Sequence, residues 1–397
     1  MAVFSDLPPE LVLLIASLLN RETILDPKYR LIGFRLREPQ LVPDLPSINA
    51  LSRTCTVFHY TLDQHLYDLC ASVEPLGKLA LLFAVEHGLE STVDKLSSAG
   101  ISLDTEFTFE LLDLCNLLQI SAALGHRTMV VKILAMYGEK MMAKVLADRD
   151  GERRTPLVYA ARNGHMEVVK LLAPIPSSVV CSDPPPLESE MQQYLGDALR
   201  ASARAGELEI SQYLIMQGAD VNFLGDDSYP PPLFYGAGAG NLGLVQLLLA
   251  SGADPNLQNR YGARPLFNSA NLDVAKTLVA AGADIHATDI TSQNVLAHTW
   301  KNTEMFRFFL ERGVDPNLAD YTGDTPLHHA SSGDSESELV ELLLQFGAAT
   351  VEKANLDGYT PVHIAMDQNN WEVVKILEPL VQNPDLRAEI DDWSRGY

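Results

Sequence analysis

Histidine and cysteine are the residues here that could most directly ligate a metal or act as base and nucleophile. The chain has ten histidines and four cysteines, but no HExxH, no cysteine pair spaced as a metal clip and no GxSxG elbow. Four of the histidines occur at recurring positions in similar phrases: His126, His165, His328 and His363. We expect these four to satisfy backbone groups at turns, and we expect no catalytic, metal-binding or cofactor-binding residue.

Two further patterns could be mistaken for sites. The segment GAGAGNLG at 236–243 is as glycine-rich as a phosphate loop, but it coincides with a short helix and its end, which favours close helix packing. Aspartates recur about 30 to 35 residues apart, at Asp220, Asp254, Asp284 and Asp315. Catalytic carboxylate pairs lie roughly 5–10 Å apart, so evenly spaced aspartates are interpreted as turn residues.

The charge balance argues against several classes of ligand. The 397 residues include 29 Lys+Arg and 52 Asp+Glu, a net charge of −23, which would repel nucleic acid or an anionic membrane. The longest early apolar run, residues 11–19, is shorter than the about 20 residues of a membrane span. It also follows Asp6 and Glu10 rather than a basic leader. We expect a cytoplasmic or nuclear protein with reduced thiols that binds neither nucleic acid nor membrane.

The elements that would position these residues repeat along the chain. The phrase QGADVN at 217–222 returns as SGADPN at 251–256, AGADIH at 281–286 and RGVDPN at 312–317. A second phrase keeps step with it: TPLVYAA at 155–161, PPLFYGA at 231–237, RPLFNSA at 264–270, TPLHHAS at 325–331 and TPVHIAM at 360–366. Two coupled phrases at one period near 33 residues indicate stacked structural repeats.

Each repeat is predicted to be a pair of short helices followed by an extended turn. Thr155 can cap the first helix, and Pro156 stands at the first helical position, where no backbone N–H is missed. A glycine such as Gly164 ends that helix, and a VVKLL pattern forms the second. Gly218 then closes a second helix in the left-handed conformation.

These phrases resemble ankyrin repeats over most of residues 75–382. The clearest repeats are 150–174, 194–227, 228–260, 261–290, 291–320, 321–356 and 357–382. The repeat near 264–283 is about three residues short, and that near 294–313 has Val295 for the usual proline and Trp300 where the family has small residues. A proline-rich segment at 174–193 interrupts the array as an expected surface loop. Residues 383–397 are predicted to be a C-terminal tail.

The N-terminal residues 1–72 share no phrase with the repeats and resemble an F-box, of a type similar to fungal versions. The LP-x-E helix is followed by a second matching half, LSRTCTVFH with HLY, and residues 20–43 form an insert expected to add an element of its own. The resemblance implies adaptor-binding residues at Leu7, Pro8, Glu10, Leu11, Ile15, Leu19, Leu51, Phe58, Leu66 and Tyr67. A helical cap that covers the first repeat is the alternative.

The two resemblances together imply an all-α protein, with a small F-box helical domain followed by an ankyrin solenoid of helix-turn-helix units. They also imply a function without chemistry of its own: a substrate-recognition subunit of an SCF-type, cullin–RING ubiquitin ligase. In that function the F-box docks to the small adaptor of the ligase and the repeats hold the target protein. The alternative is an ankyrin scaffold for protein–protein interaction with no ligase link.

The turn tips of the later repeats are the candidate target-binding surface. Aromatic and charged residues stand there that the packing of the family does not need: Arg260, Tyr261, Tyr321, Asp357 and Tyr359. Tyrosine is enriched at binding hot spots. Acidic residues lie on or near the same row: Asp226, Asp227, Asp289, Asp320, Asp324 and Asp357. We therefore expect a target segment with basic residues, steered by charge and held by aromatic contacts.

Overall fold

The structure is a computed structural model of the 397-residue chain. It describes residues 20–23, 30–31, 40–43, 67, 74–103, 107–109, 112–173, 188–225, 229–300, 302–333 and 337–395. All the predicted adaptor-binding residues except Tyr67 lie outside these ranges, as do Asp226 and Asp227. The contacts divide the chain into two compact halves, residues 1–194 and 195–397.

Three helix pairs lie in the described part of the first half. They are α1 (Glu74–Glu86) with α2 (Glu90–Ser98), α3 (Leu117–Ala123) with α4 (Arg127–Ala147), and α5 (Pro156–Arg162) with α6 (Met166–Leu172). Thr155 caps α5 as predicted, since its hydroxyl accepts the N–H of Val158 at 3.4 Å. Gly138 interrupts the helical backbone within α4. The predicted helix-pair repeat therefore extends to the weaker copies before residue 150.

Short strands accompany these helices, and the sequence analysis did not predict them. β1 (Asn20–Thr23) pairs antiparallel with β3 (Gln40–Pro43) inside the insert. β2 (Arg30–Leu31) pairs with β4 (Phe107–Phe109), which also pairs with β5 (Leu112–Cys115). The predicted all-α class therefore holds for the repeats only. The insert contains β-strands, of which β2 pairs with the β4–β5 hairpin between α2 and α3.

The second half continues the same pattern of helix pairs. Its helices are α7 (Glu188–Ala205, which begins in the first half), α8 (Leu208–Met216), α9 (Pro232–Ala239), α10 (Leu242–Ala250), α11 (Leu272–Ala280), α12 (Val295–Thr299), α13 (Thr303–Leu310), α14 (Pro326–Ser331), α15 (Ser337–Gln345), α16 (Pro361–Asp367), α17 (Trp371–Leu377) and α18 (Pro384–Arg395). The short repeat near 264–283 accommodates its missing residues by replacing its first helix with a 3₁₀ turn, Pro265–Asn268. Among the described residues, no helix is long and apolar enough to cross a membrane.

The core of the second half lies between neighbouring helix pairs. In α10 the side chains of Leu244, Val245 and Leu248 are completely buried. Leu248 packs against Gly236 of α9, where an added methyl group would lie 3.3 Å from the leucine Cδ1. This close approach explains why a residue without a side chain stands at position 236. It agrees with the interpretation of the glycine-rich segment as a site of close helix packing.

The predicted C-terminal tail contains a helix that packs on the last repeat. In α18 the side chains of Leu386 and Ile390 are buried. Trp393 lies with its ring centroid 4.3 Å from that of Trp371 in α17. His363 Nε2 is also 2.9 Å from a carboxylate oxygen of Glu389. The helix therefore covers the apolar face that the last repeat of a solenoid would otherwise expose.

Candidate protein-binding surface

Four turn tips in the second half are each built around one aspartate or asparagine side chain. The Oδ1 atoms of Asn259, Asp289, Asp320 and Asn355 each accept the backbone N–H groups two and four residues further on, at 2.8–3.1 Å. The third residue after each of them has a left-handed backbone. Three of these left-handed residues are glycine, and the fourth is Ser292, with φ of 62°.

Ser292→Gly is expected to raise the free energy of unfolding by about 0.5–1 kcal/mol, because a left-handed backbone is strained for any residue with a Cβ. Gly323→Ala is the reciprocal change. It is expected to lower the free energy of unfolding by more than about 1 kcal/mol, since its Cβ would lie 3.1 Å from the backbone nitrogen of Leu356. Urea denaturation of both variants checks the pair, and a loss of stability in Ser292→Gly would contradict this account of the turn.

Backbone hydrogen bonds join the tips of successive repeats. The N–H of Ile290 donates to the carbonyl of Tyr261 at 3.0 Å, the N–H of Tyr321 to that of Thr291 at 3.0 Å, and the N–H of Leu356 to that of Thr322 at 2.9 Å. Four tips are thereby held in one line. Neighbouring side chains on this line have fixed relative positions, as a preformed binding surface requires.

Large apolar side chains project from this line into solvent. We name Tyr261, Ile290, Tyr321, Leu356 and Tyr359 the tip row. The exposed fractions of Ile290 and Tyr321 are both 66%, and that of Leu356 is 80%. The structure thus exposes the three predicted tyrosines and adds Ile290 and Leu356. Arg260 and Asp357 are exposed beside them, and the Arg260 guanidinium carbon lies 4.6 Å from the centre of the Tyr261 ring.

The acidic tip residues that the structure describes do not form the exposed charged row that the sequence suggested. The side chains of Asp289 and Asp320 are only 9% and 5% exposed. Burial acts to raise the pKa of the Asp320 carboxyl, but hydrogen bonds from Thr322, Gln293 and His329 outweigh it and hold that pKa below its usual value. Asp324 accepts hydrogen bonds from Thr322 and Asn355. Of these acidic residues, Asp357 is the exposed one within the described part of the chain.

Asp320, Asp324 and His329 bring three possible metal-ligating atoms within 4.8 Å of one another. His329 Nε2 lies 3.2 Å from Asp320 Oδ2, which also accepts a hydrogen bond from Gln293 at 3.1 Å. Asp324 Oδ1 accepts from Asn355 Nδ2 at 2.8 Å. The three side chains therefore belong to a hydrogen-bond network that connects three successive turn tips, and that network accounts for their proximity.

The recurrent aspartates lie at the other junction of each repeat, after the second helix. Each accepts the backbone N–H two residues further on at 2.8–2.9 Å, which confirms their interpretation as turn residues: Asp220, Asp254, Asp284 and Asp315. The next asparagine in the phrase connects neighbouring repeats. Asn256, for example, donates to the Gly282 carbonyl at 2.9 Å and accepts the N–H of Asp284 at 2.8 Å.

The recurring histidines also have the structural partners that the sequence analysis predicted. His126 and His165 each place Nε2 2.9 Å from a carbonyl of the preceding repeat. His328 accepts the N–H of Thr325 at Nδ1, and its Nε2 lies 3.2 Å from the Tyr359 carbonyl. Burial lowers the pKa of the His328 imidazole below its ordinary value, so this ring is neutral near pH 7.

Tyr67 is the one predicted adaptor-binding residue whose position the structure describes. It is partly buried, and the Lys95 ammonium of α2 lies 5.2 Å from the centre of its ring. Tyr67 therefore contacts the first helix pair of the array. Its role in adaptor binding stays a prediction.

Comparison with known proteins identifies the repeats. A family model described as ankyrin repeats, three copies, matches residues 81–183, 198–289 and 295–387. No F-box family model matches the chain. The chain is similar to the palmitoyltransferase AKR1 of Lachancea kluyveri, with 30% identity over 181 residues, 44% of this chain and 20% of that protein. It is also similar to the human transient receptor potential cation channel subfamily A member 1, with 25% identity over 192 residues, 45% of this chain and 17% of the channel.

A third relative is the human mitochondrial disaggregase, with 28% identity over 211 residues, 50% of this chain and 28% of that protein. The matches cover between 9% and 48% of the length of the curated relatives. Two of the three named relatives, the palmitoyltransferase and the disaggregase, are enzymes by their names, so the expectation that this chain has no chemistry of its own stays a prediction. The matched repeats support a role in protein–protein interaction. The family match spans most of the chain, and the chain belongs to the ankyrin-repeat family.

Proposed function

We propose that the tip row binds a segment of another protein. The observation that supports this most strongly is the line of exposed apolar side chains on tips already joined by hydrogen bonds. Exposed aromatic and aliphatic groups on a rigid frame provide buried contact area on binding at little entropic cost. The net charge of −23 favours a segment with basic residues.

Tyr261→Ala combined with Tyr321→Ala is expected to weaken the affinity for the target at least tenfold, since hot-spot side chains cost about 2 kcal/mol or more when truncated. Met216→Ala, at a 75% exposed position at the end of α8, is the matched control and should leave affinity unchanged. Isothermal titration calorimetry at low and high salt measures the contribution of the two tyrosines and that of charge to the affinity. Affinity that is unchanged in the double variant and insensitive to salt in the wild type would exclude this surface.

We propose further that the N-terminal residues 1–72 are an F-box, and that the chain is a substrate-recognition subunit of a cullin–RING ubiquitin ligase. The support is the sequence pattern alone, from the LP-x-E helix to the HLY phrase. In such a complex the tip row would hold a target lysine at high effective concentration near the ubiquitin-charged enzyme. Co-purification of the small adaptor with the full chain tests this function.

An ankyrin scaffold without a ligase link is the second candidate. The family match to the repeats and the lack of an F-box match both favour it. The two candidates share the tip row and differ in the N-terminal residues, where a cap would cover the first repeat instead of offering its apolar face to an adaptor. Failure of the adaptor to bind the purified full chain would select the scaffold.

A further inference from the structure

The repeat at 291–320 departs from its neighbours in a way that opens a cavity. Its first helix, α12, has five residues. Trp300 follows directly, at a position where the family has small residues, and its side chain is 44% exposed. The neighbouring helix α14 keeps the usual small residue Ala330 on the facing side. Trp300 and residues of α12 and α14 line one cavity at this place.

The cavity has a volume of about 170 Å³ and a mainly apolar lining. Leu296, Phe306 and Leu339 form its interior walls, while Ala297 and Trp300 stand at more exposed positions. A cavity of about 150 Å³ with such a lining can hold a benzene molecule. A charged side chain would lose its hydration against these apolar walls, so the lining favours an uncharged, apolar group.

The Asp320 side chain joins the lining of the cavity to the turn that carries Tyr321 of the tip row. Gln293 and His329 line the cavity, and both lie within hydrogen-bond distance of Asp320 Oδ2, at 3.1 and 3.2 Å. The other oxygen of Asp320 accepts the turn N–H groups that follow Tyr321. A chain that crosses the exposed Tyr321 side chain therefore passes beside the cavity.

We propose that this cavity is a specificity pocket that takes one phenylalanine side chain of the protein segment bound along the tip row. The proposal rests on the proposed binding function of that row and adds the identity of the anchor. The volume fits a phenyl ring and the lining is mainly apolar. The Nε2 atoms of Gln293 and His329 already lie at Asp320, and the Ser332 hydroxyl donates to the His329 carbonyl. The net negative charge of the protein favours a bound segment that has basic residues on either side of the phenylalanine.

The test uses the full chain and a phage library of random twelve-residue peptides. Selected peptides are expected to share a phenylalanine, and the affinity of a selected peptide should fall at least tenfold when that residue becomes alanine. Ala297→Leu fills the pocket and should weaken the parent peptide at least tenfold, while the alanine peptide should bind wild type and Ala297→Leu equally. Trp300→Ala, which removes one wall at an exposed position, is the second variant if Ala297→Leu unfolds.

The possible failures can be told apart. Peptides that lose affinity on Tyr321→Ala but bind Ala297→Leu and Trp300→Ala as tightly as wild type would overturn the pocket and leave the tip row standing. Peptides that bind all of these variants equally, or a library that yields no enrichment over a blank surface, would overturn the pocket and the tip row together. Met216→Ala again serves as the control for surface changes elsewhere.

Discussion

Leu248→Ala is expected to lower the free energy of unfolding by about 2–5 kcal/mol, the range of large-to-small changes in well-packed cores. The Leu248 side chain of α10 is completely buried, and it packs against Gly236 of α9, the first helix of the same pair. The backbone of both helices restricts collapse of the resulting cavity, so the lost contacts are not recovered. Urea denaturation followed by far-UV circular dichroism measures the change.

Leu356→Ala is the matched control for that experiment, because it makes the same substitution at a position 80% exposed on the tip row. Its expected effect on stability is within about 0.5 kcal/mol. A cost below about 1 kcal/mol for Leu248→Ala, or equal costs for the two variants, would show that α10 is not packed as described.

Leu7→Ala combined with Ile15→Ala is expected to abolish adaptor binding. Both residues belong to the N-terminal pattern that resembles an F-box, and two central anchors at about 2 kcal/mol each would weaken binding roughly a thousandfold. The array should stay folded, since its repeats are stabilised by their neighbours. Surface plasmon resonance with immobilised adaptor measures binding, and circular dichroism checks the fold.

Leu13→Ala changes the opposite face of the same predicted helix and is the control for that prediction. It should leave adaptor binding within about threefold of wild type. If the double variant binds the adaptor as tightly as wild type, the F-box assignment is wrong and the N-terminal residues act otherwise. If the double variant instead unfolds the array, the cap interpretation is favoured.

The helix pairs could be predicted from sequence because their determinants are local. A capping threonine, a proline at the first helical position and a closing glycine act within one turn of the backbone. The structure confirms this at Thr155 and again at Thr360, whose hydroxyl accepts the N–H of His363 at 3.4 Å. The exposure of Tyr261 and Tyr321 followed from the same repeat alignment.

The strands could not be predicted in this way. β2 pairs with β4 across more than seventy residues of chain, and no local pattern in either segment specifies such a partner. The directions of the tip carboxylates were missed for a related reason. From sequence alone, Asp289 and Asp320 are expected to be exposed charges. In the structure their side chains turn inward and accept backbone N–H groups.

The positions of Ile290 and Leu356 at the tips have a signal in the sequence. Ile290 and Leu356 occupy the residue directly after Asp289 and Asn355, as Tyr321 does after Asp320. Alignment on the glycine also places Leu356 at a tip, two residues before Gly358 as Tyr321 is before Gly323. Ser292 replaces the glycine in the repeat of Ile290, so only alignment on the aspartate or asparagine finds Ile290. Trp300 was identified as a departure from the family, but the cavity beside it depends on how α12 and α14 pack, which the sequence pattern leaves open.

Site-specific photocrosslinking tests most directly whether the tip row is the protein-binding surface. A benzophenone amino acid is placed at position 290, 321 or 356, and in a separate protein at the exposed position 216. The target recovered with the wild-type chain is then irradiated with each purified protein. The account predicts crosslinks to the target from 290, 321 and 356 and none from 216. Crosslinks from 216 alone would contradict it and place binding on another face of the repeats.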